Sequence, residues 1–497
     1  TNLGLLEAGG TLIVNEDAFV DRNLEKAGYS ANPLEDESLD SYTVYKIPMT
    51  TMTLRATEDI ADLTKKEKER SKNFFALGVL SWMYGRPTDV TTGWIEKKFA
   101  GKDAILAANL AAFKAGYNFG ETAELLDVHY VVKPAPAAPG TYRNVNGTTA
   151  LSWGLIAASV RSGLPLFYSG YPITPASELL HELSRHKNFG VRTFQAEDEI
   201  AAANMALGAA FAGLLGVTGT SGPGMDLKAE TMGLAVTLEL PMVIVDVQRA
   251  GPSTGMPTKT EQADLLLAMY GRHGESPLPI VASSTPSNCF DAALEAARIA
   301  IRYRTPVILL SDTFLANSSE PWRLPRIDDL PTIDPGFAKT PNGPEHDFLA
   351  YLRNEDLARP WAIPGTPGLE HRIGGLEKED VTGNISYDPE NHQRMTDLRI
   401  ERIAKIAEDI PELEVDDPHD DASLLVLGWG SSYGAIRAAV KLVRDGGKRV
   451  AAAHLTHLHP LPKNTGDVVR GYQKVLIPEM NTGQLLRIIR AEFLVEA

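Results

Sequence analysis

The segment Tyr168-Ser-Gly-Tyr-Pro-Ile-Thr-Pro-Ala-Ser177 contains a strand-like run and the signal that ends it. Residues 165–171 read as β-structure, and the two prolines that bracket Thr174 then prevent the strand from continuing. A hydroxyl group is thereby placed at the mouth of a strand, where α/β sheets bind their ligands. The segment alone is equally compatible with a proline-bounded turn in which a Ser or Thr caps the next helix.

The same strand signal recurs along the surrounding sequence. Short apolar runs alternate with helical periods from residue 165 to residue 312, and this alternation is typical of a doubly wound parallel sheet. We therefore predict an α/β fold centred on that sheet. The predicted strands are residues 166–168, 191–195, 215–219, 242–247, 280–283 and 307–311.

Composition divides the chain into five segments. The first is an α/β region, and the second is rich in Pro and Ala, which predicts an extended linker. The third holds the central sheet, the fourth is broken by prolines and predicts a wrapping linker, and the fifth is a further α/β unit. In that order they are residues 1–130, 131–145, 146–320, 321–400 and 401–497.

Charge and cysteine content limit the possible functions. A formal net charge of -16 over 497 residues argues against nucleic acid as the main partner. No 18-residue apolar run and no signal-like start is present, so neither a membrane span nor secretion is predicted, and a cytoplasmic enzyme is expected. A single cysteine, Cys289, cannot hold an iron–sulfur cluster, so any cluster would be bound by another chain.

An acidic triplet, Glu197-Asp198-Glu199, opens a helix that is rich in Ala. Carboxylates in the first turn are favoured by the helix dipole, so helix capping is one interpretation. The other is that one carboxylate contacts a bound base. The residues themselves leave this choice open.

A glycine-rich turn, residues 216–224, follows a predicted strand, and Asp246 stands about 20 residues later. This spacing suggests a dinucleotide site. We reject that interpretation because Gly222-Pro-Gly224 lacks the third glycine of the motif and has proline between the first two. The turn can still bring its backbone close to a ligand.

Arg249 follows another predicted strand directly, and its guanidinium could bind a carboxylate through two hydrogen bonds. A surface salt bridge is the alternative. His454 and His457 are predicted to lie on opposite faces of one strand. His457 and His459 share a face but have no acidic or thiol partner nearby in the sequence, and His371 is isolated. No metal site is therefore predicted in this chain.

These motifs, taken in order, resemble those of the 2-oxoacid:ferredoxin oxidoreductases. The resemblance implies that Thr174 contacts thiamin diphosphate and the oxoacid, that Glu197 binds the aminopyrimidine, and that Arg249 binds the substrate carboxylate. Residues 249–258 match the 2-oxoglutarate-using branch of the family. Further cofactor-binding residues implied are Tyr171, Pro172, Ile173, Thr220 and Ser221, and further substrate-binding residues implied are Ser253 and Thr254. A 2-oxoglutarate site must bind two carboxylates, so a second cation is expected near Thr174 and Arg249. Lys259 is the nearest in sequence, and Arg272 and His273 are reserve candidates.

The rest of the chain extends the resemblance. Residues 70–77 and 114–120 resemble a fused γ domain whose glycine-rich opening is missing here, so a truncated start is expected. Residues 428–434 and 477–485 resemble the transketolase-C-terminal-like domain. The implied fold is a γ-type α/β domain at 1–130, a pyrimidine-type thiamin diphosphate domain at 146–320 and a transketolase-C-terminal-like domain at 401–497.

The resemblance also implies partners. No Gly-Asp-Gly followed about 25 to 30 residues later by Asn is present, so this chain is expected to supply only the pyrimidine half of the site. A β subunit would carry Mg²⁺ and a [4Fe-4S] cluster in an (αβ)₂ heterotetramer. Ylide attack on the keto carbon, decarboxylation, electron transfer to ferredoxin and acyl transfer to coenzyme A would convert 2-oxoglutarate to succinyl-CoA. In reverse, the reaction fixes CO₂, as in the reductive tricarboxylic acid cycle.

Three other functions are compatible with the sequence. A pyruvate or branched-chain 2-oxoacid could be the substrate of the same type of enzyme. A non-catalytic structural subunit would keep the folds without needing Glu197 or Arg249. An electron-transfer chain that binds a nicotinamide or a flavin would explain the glycine-rich turn differently.

Overall fold

The computed structural model describes residues 3–123 and 129–497. The chain forms two compact units, Thr1–Ala138 and Pro139–Ala497. The division falls inside the segment predicted as the first linker. Within the described ranges, no helix is long and apolar enough to span a membrane.

The first unit is a small α/β structure in which two strands pair in parallel and six helices follow or intervene. The elements are β1 (Thr11–Asn15), α1 (Asp21–Lys26), β2 (Thr43–Ile47), α2 (Met49–Ala56), α3 (Lys65–Arg70), α4 (Lys72–Met83), α5 (Asp89–Lys98) and α6 (Asp103–Thr122). Helices α4 and α6 pack so closely that a Cβ atom at Gly116 would lie 1.9 Å from the carbonyl oxygen of Phe75.

The second unit contains the other thirteen strands assigned in the described part of the chain. They are β3 (Tyr142–Asn146), β4 (Leu166–Gly170), β5 (Arg192–Gln195), β6 (Leu215–Thr220), β7 (Met242–Gln248), β8 (Ile280–Ala282), β9 (Pro306–Asp312), β10 (Ser319–Arg323), β11 (Val415–Asp416), β12 (Leu424–Trp429), β13 (Ala451–Leu455), β14 (His457–His459) and β15 (Lys474–Leu476).

Twelve α-helices of the second unit cover these strands. They are α7 (Gly147–Ser162), α8 (Ser177–Leu183), α9 (Glu199–Phe211), α10 (Gly222–Leu227), α11 (Ala229–Leu238), α12 (Leu265–Tyr270), α13 (Asn288–Tyr303), α14 (Thr313–Asn317), α15 (Pro389–Lys405), α16 (Tyr433–Asp445), α17 (Thr465–Arg470) and α18 (Gln484–Phe493).

The main sheet has seven strands in the order β14-β8-β9-β7-β6-β4-β5. Every neighbouring pair is parallel except β14 with β8. Strands β6, β7 and β9 are buried along their whole length, because helices cover both faces of a parallel sheet. The predicted doubly wound α/β fold is therefore confirmed. The chain runs from β4 to β5 on one side and then crosses to β6 on the other, so the switch point lies beside β4.

A smaller sheet in the order β11-β13-β12-β15 forms the last α/β region. The histidine prediction was wrong in one respect, because His454 and His457 do not share a strand. The chain leaves the small sheet after Leu455, and β14 then joins the edge of the main sheet beside β8. In the part of the chain that the structure describes, no group of three potential metal ligands comes together.

The proline-rich segment wraps past the end of helix α11, and buried ion pairs hold it there. The carboxylate of Glu239, at the end of α11, is 2.5 Å from Arg353 and 2.6 Å from Arg402, and all three side chains are nearly inaccessible. Helix α15 begins at Pro389 and crosses the boundary predicted at residue 400. Strands β3 and β10 pair antiparallel and so connect the two ends of the central region.

Candidate active site

The loop after β4 turns sharply at the switch point of the main sheet. The backbone N–H of Ile173 donates to the hydroxyl of Ser177 at 2.8 Å, and that hydroxyl donates back to the carbonyl of Ile173 at 3.0 Å. The peptide bond between Thr174 and Pro175 is cis. This compact turn leaves the side chain of Thr174 exposed at the carboxyl end of β4.

Tyr171 extends from the same loop across to the neighbouring strand. Its hydroxyl is 2.8 Å from the hydroxyl of Thr220, which ends β6, and both side chains are buried. Burial, together with the facing carboxylate of Glu199, raises the pKa of the Tyr171 phenol. The carboxyl ends of β4 and β6 thus meet at one point, and Glu199, at the start of α9, faces it.

Gly224 marks that point. A Cβ atom there would lie 2.1 Å from the hydroxyl oxygens of both Thr220 and Tyr171, and 3.0 Å from Cγ of Glu199. Position 224 therefore has no room for a side chain, and the backbone of the glycine-rich turn packs directly against these three polar side chains. The neighbouring hydroxyl of Ser221 is buried and has no hydrogen-bond partner among the described residues.

The acidic triplet divides into three different environments. Asp198 caps helix α9, because its carboxylate accepts a hydrogen bond from the backbone N–H of Ala201 at 2.8 Å. Glu197 is exposed, whereas Glu199 is partly buried and faces Tyr171. Glu197 stays a prediction, but the contacts favour Glu199 as the carboxylate of the site. The positions of the two glutamates relative to the helix cap could have indicated this difference. Glu197 precedes the cap and Glu199 is the first residue of the helix, so their side chains point in different directions.

Arg249 lies at the end of β7 and points back toward the β4 loop. Its side chain is buried, and one terminal nitrogen donates to the carbonyl oxygen of Thr174 at 2.5 Å. Its Nε is buried without a partner among the described residues. The surface salt bridge considered from sequence is not what the structure has, because Arg249 is buried beside the Thr174 loop.

Residues 250–262 form a loop that is predicted from sequence to contact the substrate and is called the substrate loop. It is exposed over most of its length. The backbone N–H of Ala250 donates to the carbonyl of Lys259 at 2.9 Å, which brings Lys259 back beside the end of β7. Ser253 has a positive φ of 56°, and it lies with Thr254 at the exposed tip. The loop thus carries hydroxyls and one lysine close to Arg249.

A cavity of about 410 Å³ opens next to Thr174. Pro257 and Thr258 of the substrate loop line it, as does Arg185, which no sequence motif indicates. The guanidinium of Arg185 is 2.9 Å from Glu182, and its side chain is 71% exposed. A second cation is therefore available at the mouth of the site.

Two buried carboxyl groups lie behind the site. Asp246 on β7 faces Asp264, which precedes α12, and neither oxygen of Asp246 has an N–H or O–H donor among the described residues. Two carboxyls can hydrogen-bond each other only when one keeps a proton. Burial raises the pKa of Asp264 to about 6 and that of Asp246 well above its ordinary range. Asp246 is fully buried and cannot bind a ribose, which agrees with rejecting a dinucleotide site.

Family models match most of the chain. Residues 158–388 match the thiamine-diphosphate-binding domain of pyruvate flavodoxin/ferredoxin oxidoreductases, and residues 1–119 match a second domain, described as pyruvate ferredoxin/flavodoxin oxidoreductase. The chain is also 55% identical to 2-oxoglutarate oxidoreductase subunit KorA of Mycobacterium tuberculosis. That alignment covers all of this chain and 75% of the relative. The chain belongs to the 2-oxoacid:ferredoxin oxidoreductase family.

More distant relatives lie in the same family. Subunit alpha of 2-oxoacid:ferredoxin oxidoreductase 1 from Aeropyrum pernix is 32% identical over 86% of this chain and 68% of its own length. A solved 2-oxoglutarate:ferredoxin oxidoreductase from Magnetococcus marinus, with 2-oxoglutarate, coenzyme A and succinyl-CoA bound, is 33% identical. Its fold matches with a TM-score of 0.86 over the whole of this chain and 81% of that one. The family recognised from the motifs is confirmed.

Proposed function

We propose that this chain is the α subunit of a 2-oxoglutarate:ferredoxin oxidoreductase. The enzyme converts 2-oxoglutarate and coenzyme A to succinyl-CoA and CO₂, and two electrons pass to ferredoxin. The observation that carries the proposal is the convergence of Tyr171, Glu199, Thr220 and Arg249 at the carboxyl ends of four neighbouring strands. The 55% identity to a KorA subunit supports 2-oxoglutarate as the substrate.

The residues at this edge fit the pyrimidine half of thiamin diphosphate. Glu199 offers a carboxylate for a ring nitrogen, and Ser221 offers a buried hydroxyl that the described residues leave unpartnered. Because Gly224 has no side chain, a flat ring can lie close to the backbone there. When bound, thiamin diphosphate supplies the carbanion that attacks the keto carbon and accepts the electrons of decarboxylation.

The protein groups position the reactants and move protons. Glu199 would exchange a proton with the pyrimidine nitrogen, which is the task of a general acid and base. Arg249 would bind the carboxylate next to the keto group with a charge-assisted hydrogen bond, and the Thr174 hydroxyl would orient the oxoacid. The hydrogen-bonded pair of Tyr171 and Thr220 would form one wall of the pyrimidine site.

A partner subunit completes the site in this proposal. The chain lacks the Gly-Asp-Gly pattern that binds a magnesium diphosphate, and its single cysteine, Cys289, is buried in α13. A β subunit would therefore bring Mg²⁺, the diphosphate site and a [4Fe-4S] cluster. We propose an (αβ)₂ heterotetramer in the cytoplasm that uses ferredoxin and that can also run toward CO₂ fixation.

Substrate preference tests the proposal directly. 2-Oxoglutarate has a second carboxylate, and Lys259 and Arg185 are the cations best placed to bind it. Measured kcat/KM of the assembled enzyme should be highest for 2-oxoglutarate, compared with pyruvate and 2-oxoisovalerate. Loss of the binding cation in Lys259→Met or Arg185→Met should cost about 2–3 kcal/mol. Selectivity over pyruvate would then fall by roughly 30- to 150-fold.

The pyruvate reaction is the internal control. Pyruvate has no second carboxylate, so removing the cation that binds that group should not affect it. A variant that slows both substrates equally has damaged the loop rather than the distal contact. A wild-type enzyme that prefers pyruvate or the branched oxoacid would overturn the substrate assignment. Unchanged selectivity in both variants would place the distal anchor on another residue.

A further inference from the structure

Lys228 is a lysine buried inside the candidate cofactor site, at the junction of helices α10 and α11. Its side chain has no solvent exposure. Its Nζ donates to the carbonyl oxygen of Glu199 at 2.7 Å and lies 4.8 Å from the centre of the Tyr171 ring. The lysine therefore contacts two of the three residues that surround Gly224, Glu199 and Tyr171.

Burying an amine without a full set of partners is unfavourable. An ammonium group has three N–H donors, and among the described residues Lys228 has one recorded acceptor. Burial lowers the pKa of Lys228 to about 8, and the carboxylates of Glu199 and Asp198 oppose that shift. Those two carboxylates on α9 and the phenol of Tyr171 are the titratable groups that face it.

A second buried lysine shows what a structural role looks like. Lys378 is 1% exposed and donates to the carbonyl oxygens of Gly374 and Leu376, within its own segment. Those contacts close a local turn in the wrapping segment. Lys228 instead joins residues that are far apart in sequence, and its contacts are with the acid and the ring of the proposed pyrimidine site.

We propose that Lys228 is a positioning residue that holds Glu199 at the pyrimidine. The hydrogen bond to the Glu199 carbonyl fixes the first residue of α9, from which the carboxylate projects. The positive charge offsets the negative charges of Asp198 and Glu199, which would otherwise repel each other at the start of the helix. This inference rests on the proposed function, because it requires Glu199 to bind the cofactor.

Two substitutions separate the hydrogen bond from the charge. Lys228→Met removes both at similar length, whereas Lys228→Gln keeps an N–H donor without the charge. Lys378→Met is the matched control for removing a buried lysine. In the assembled enzyme, the affinity for thiamin diphosphate is measured by fluorescence titration from pH 6.5 to pH 9.5. Deuterium exchange at C2 of the bound thiazolium is followed in parallel.

We expect Lys228→Met to bind the cofactor at least about tenfold more weakly and to exchange C2 hydrogen more slowly. Wild-type affinity should fall as the pH rises through about 8, because Lys228 then loses its charge. Both Lys228 variants should lack that transition, and Lys378→Met should keep it. The wild-type titration needs no variant, so a flat profile through pH 8 overturns the inference even if Lys228→Met fails to fold.

Glu199→Gln distinguishes failure of this inference from failure of the proposed function. If Glu199→Gln binds cofactor and exchanges C2 hydrogen like the wild type, the proposed role of Glu199 is wrong. If Glu199→Gln slows exchange but both Lys228 variants match the wild type at every pH, the role of Lys228 alone is wrong. Equal losses in Lys228→Met and Lys378→Met would also count against a positioning role.

Discussion

The two glutamates on either side of Asp198 differ by two positions and have different surroundings. Glu197 lies before the helix cap and is exposed, whereas Glu199 is the first residue of α9 and faces Tyr171 across Gly224. The sequence places three acids together at a helix start, and the favourable helix dipole acts on all of them alike. The packing of the glycine-rich turn against α9 sets Glu199 apart from the other two.

Glu199→Gln should therefore reduce turnover by about a hundredfold or more, because a positioned proton-transfer group typically contributes that much. Glu197→Gln is the matched control, since it makes the same chemical change on an exposed side chain two residues away. Single-turnover decarboxylation of 2-oxoglutarate by the assembled enzyme measures both. If Glu197→Gln shows the large loss and Glu199→Gln does not, the carboxylate predicted from sequence is the functional one.

Residue types at the site were predictable where they follow a strand directly. Thr174 and Arg249 stand just after β4 and β7, and the structure places both at the same sheet edge, with Arg249 bound to the Thr174 carbonyl. Lys228 was not predictable, because nothing in its local sequence indicates complete burial. Arg272 and His273, considered as reserve cations, lie elsewhere: Arg272 donates to helix carbonyls and His273 faces Glu230.

At the scale of elements, β7 and the segment before α12 are joined by the Asp246 and Asp264 carboxyls. Strand β7 was predictable because parallel strands buried on both faces read as continuous apolar runs. Asp246 interrupts that run, and its partner is 18 positions away across the substrate loop. Periodicity carries no information about such a pair, since the contact depends on how the loop returns to the sheet.

Burial of Asp264 makes the stability of this junction depend on pH. The pKa of Asp264 is raised to about 6 in the folded chain, above about 3.9 in an unfolded one. The folded state thus binds more protons between these values, so its stability is fully present at low pH and falls as the pH rises through 6. Asp264→Asn should remove roughly 1–3 kcal/mol of this pH dependence.

Thermal unfolding between about pH 4 and pH 7 measures that effect, because this range spans the unfolded and folded pKa values of Asp264. The wild-type midpoint should fall relative to Asp264→Asn as the pH increases, with most of the difference developing between about pH 4 and pH 6. Asp328→Asn is the control, because Asp328 is exposed and outside the pair. Parallel curves for the wild type and Asp264→Asn would show that folding does not raise the pKa of Asp264.

Across the whole molecule, the substrate loop is fastened to the last α/β region. The side chain of Gln262 donates to the backbone carbonyl of Trp429 at 3.2 Å, and the backbone carbonyl of Gln262 accepts from the Asn481 side chain at 2.7 Å. Gln484 donates to the carbonyl of Ala263 at 2.6 Å. These contacts join residues more than 160 positions apart, which local sequence patterns cannot predict. The α/β fold class was predictable, but the attachment of the last α/β region to the loop was not.

In the proposed function the second unit supplies half of a thiamin site, and the chain has one cysteine, which is buried in α13. A [4Fe-4S] cluster needs about four thiolates, so these 497 residues alone should be colourless and should not reduce ferredoxin with 2-oxoglutarate. Adding the copurifying subunit to the wild-type chain should produce both visible iron–sulfur absorbance and ferredoxin reduction. Adding it to the Glu199→Gln chain should produce only the absorbance. Ferredoxin reduction by the isolated chain would contradict the division of the active site between two subunits.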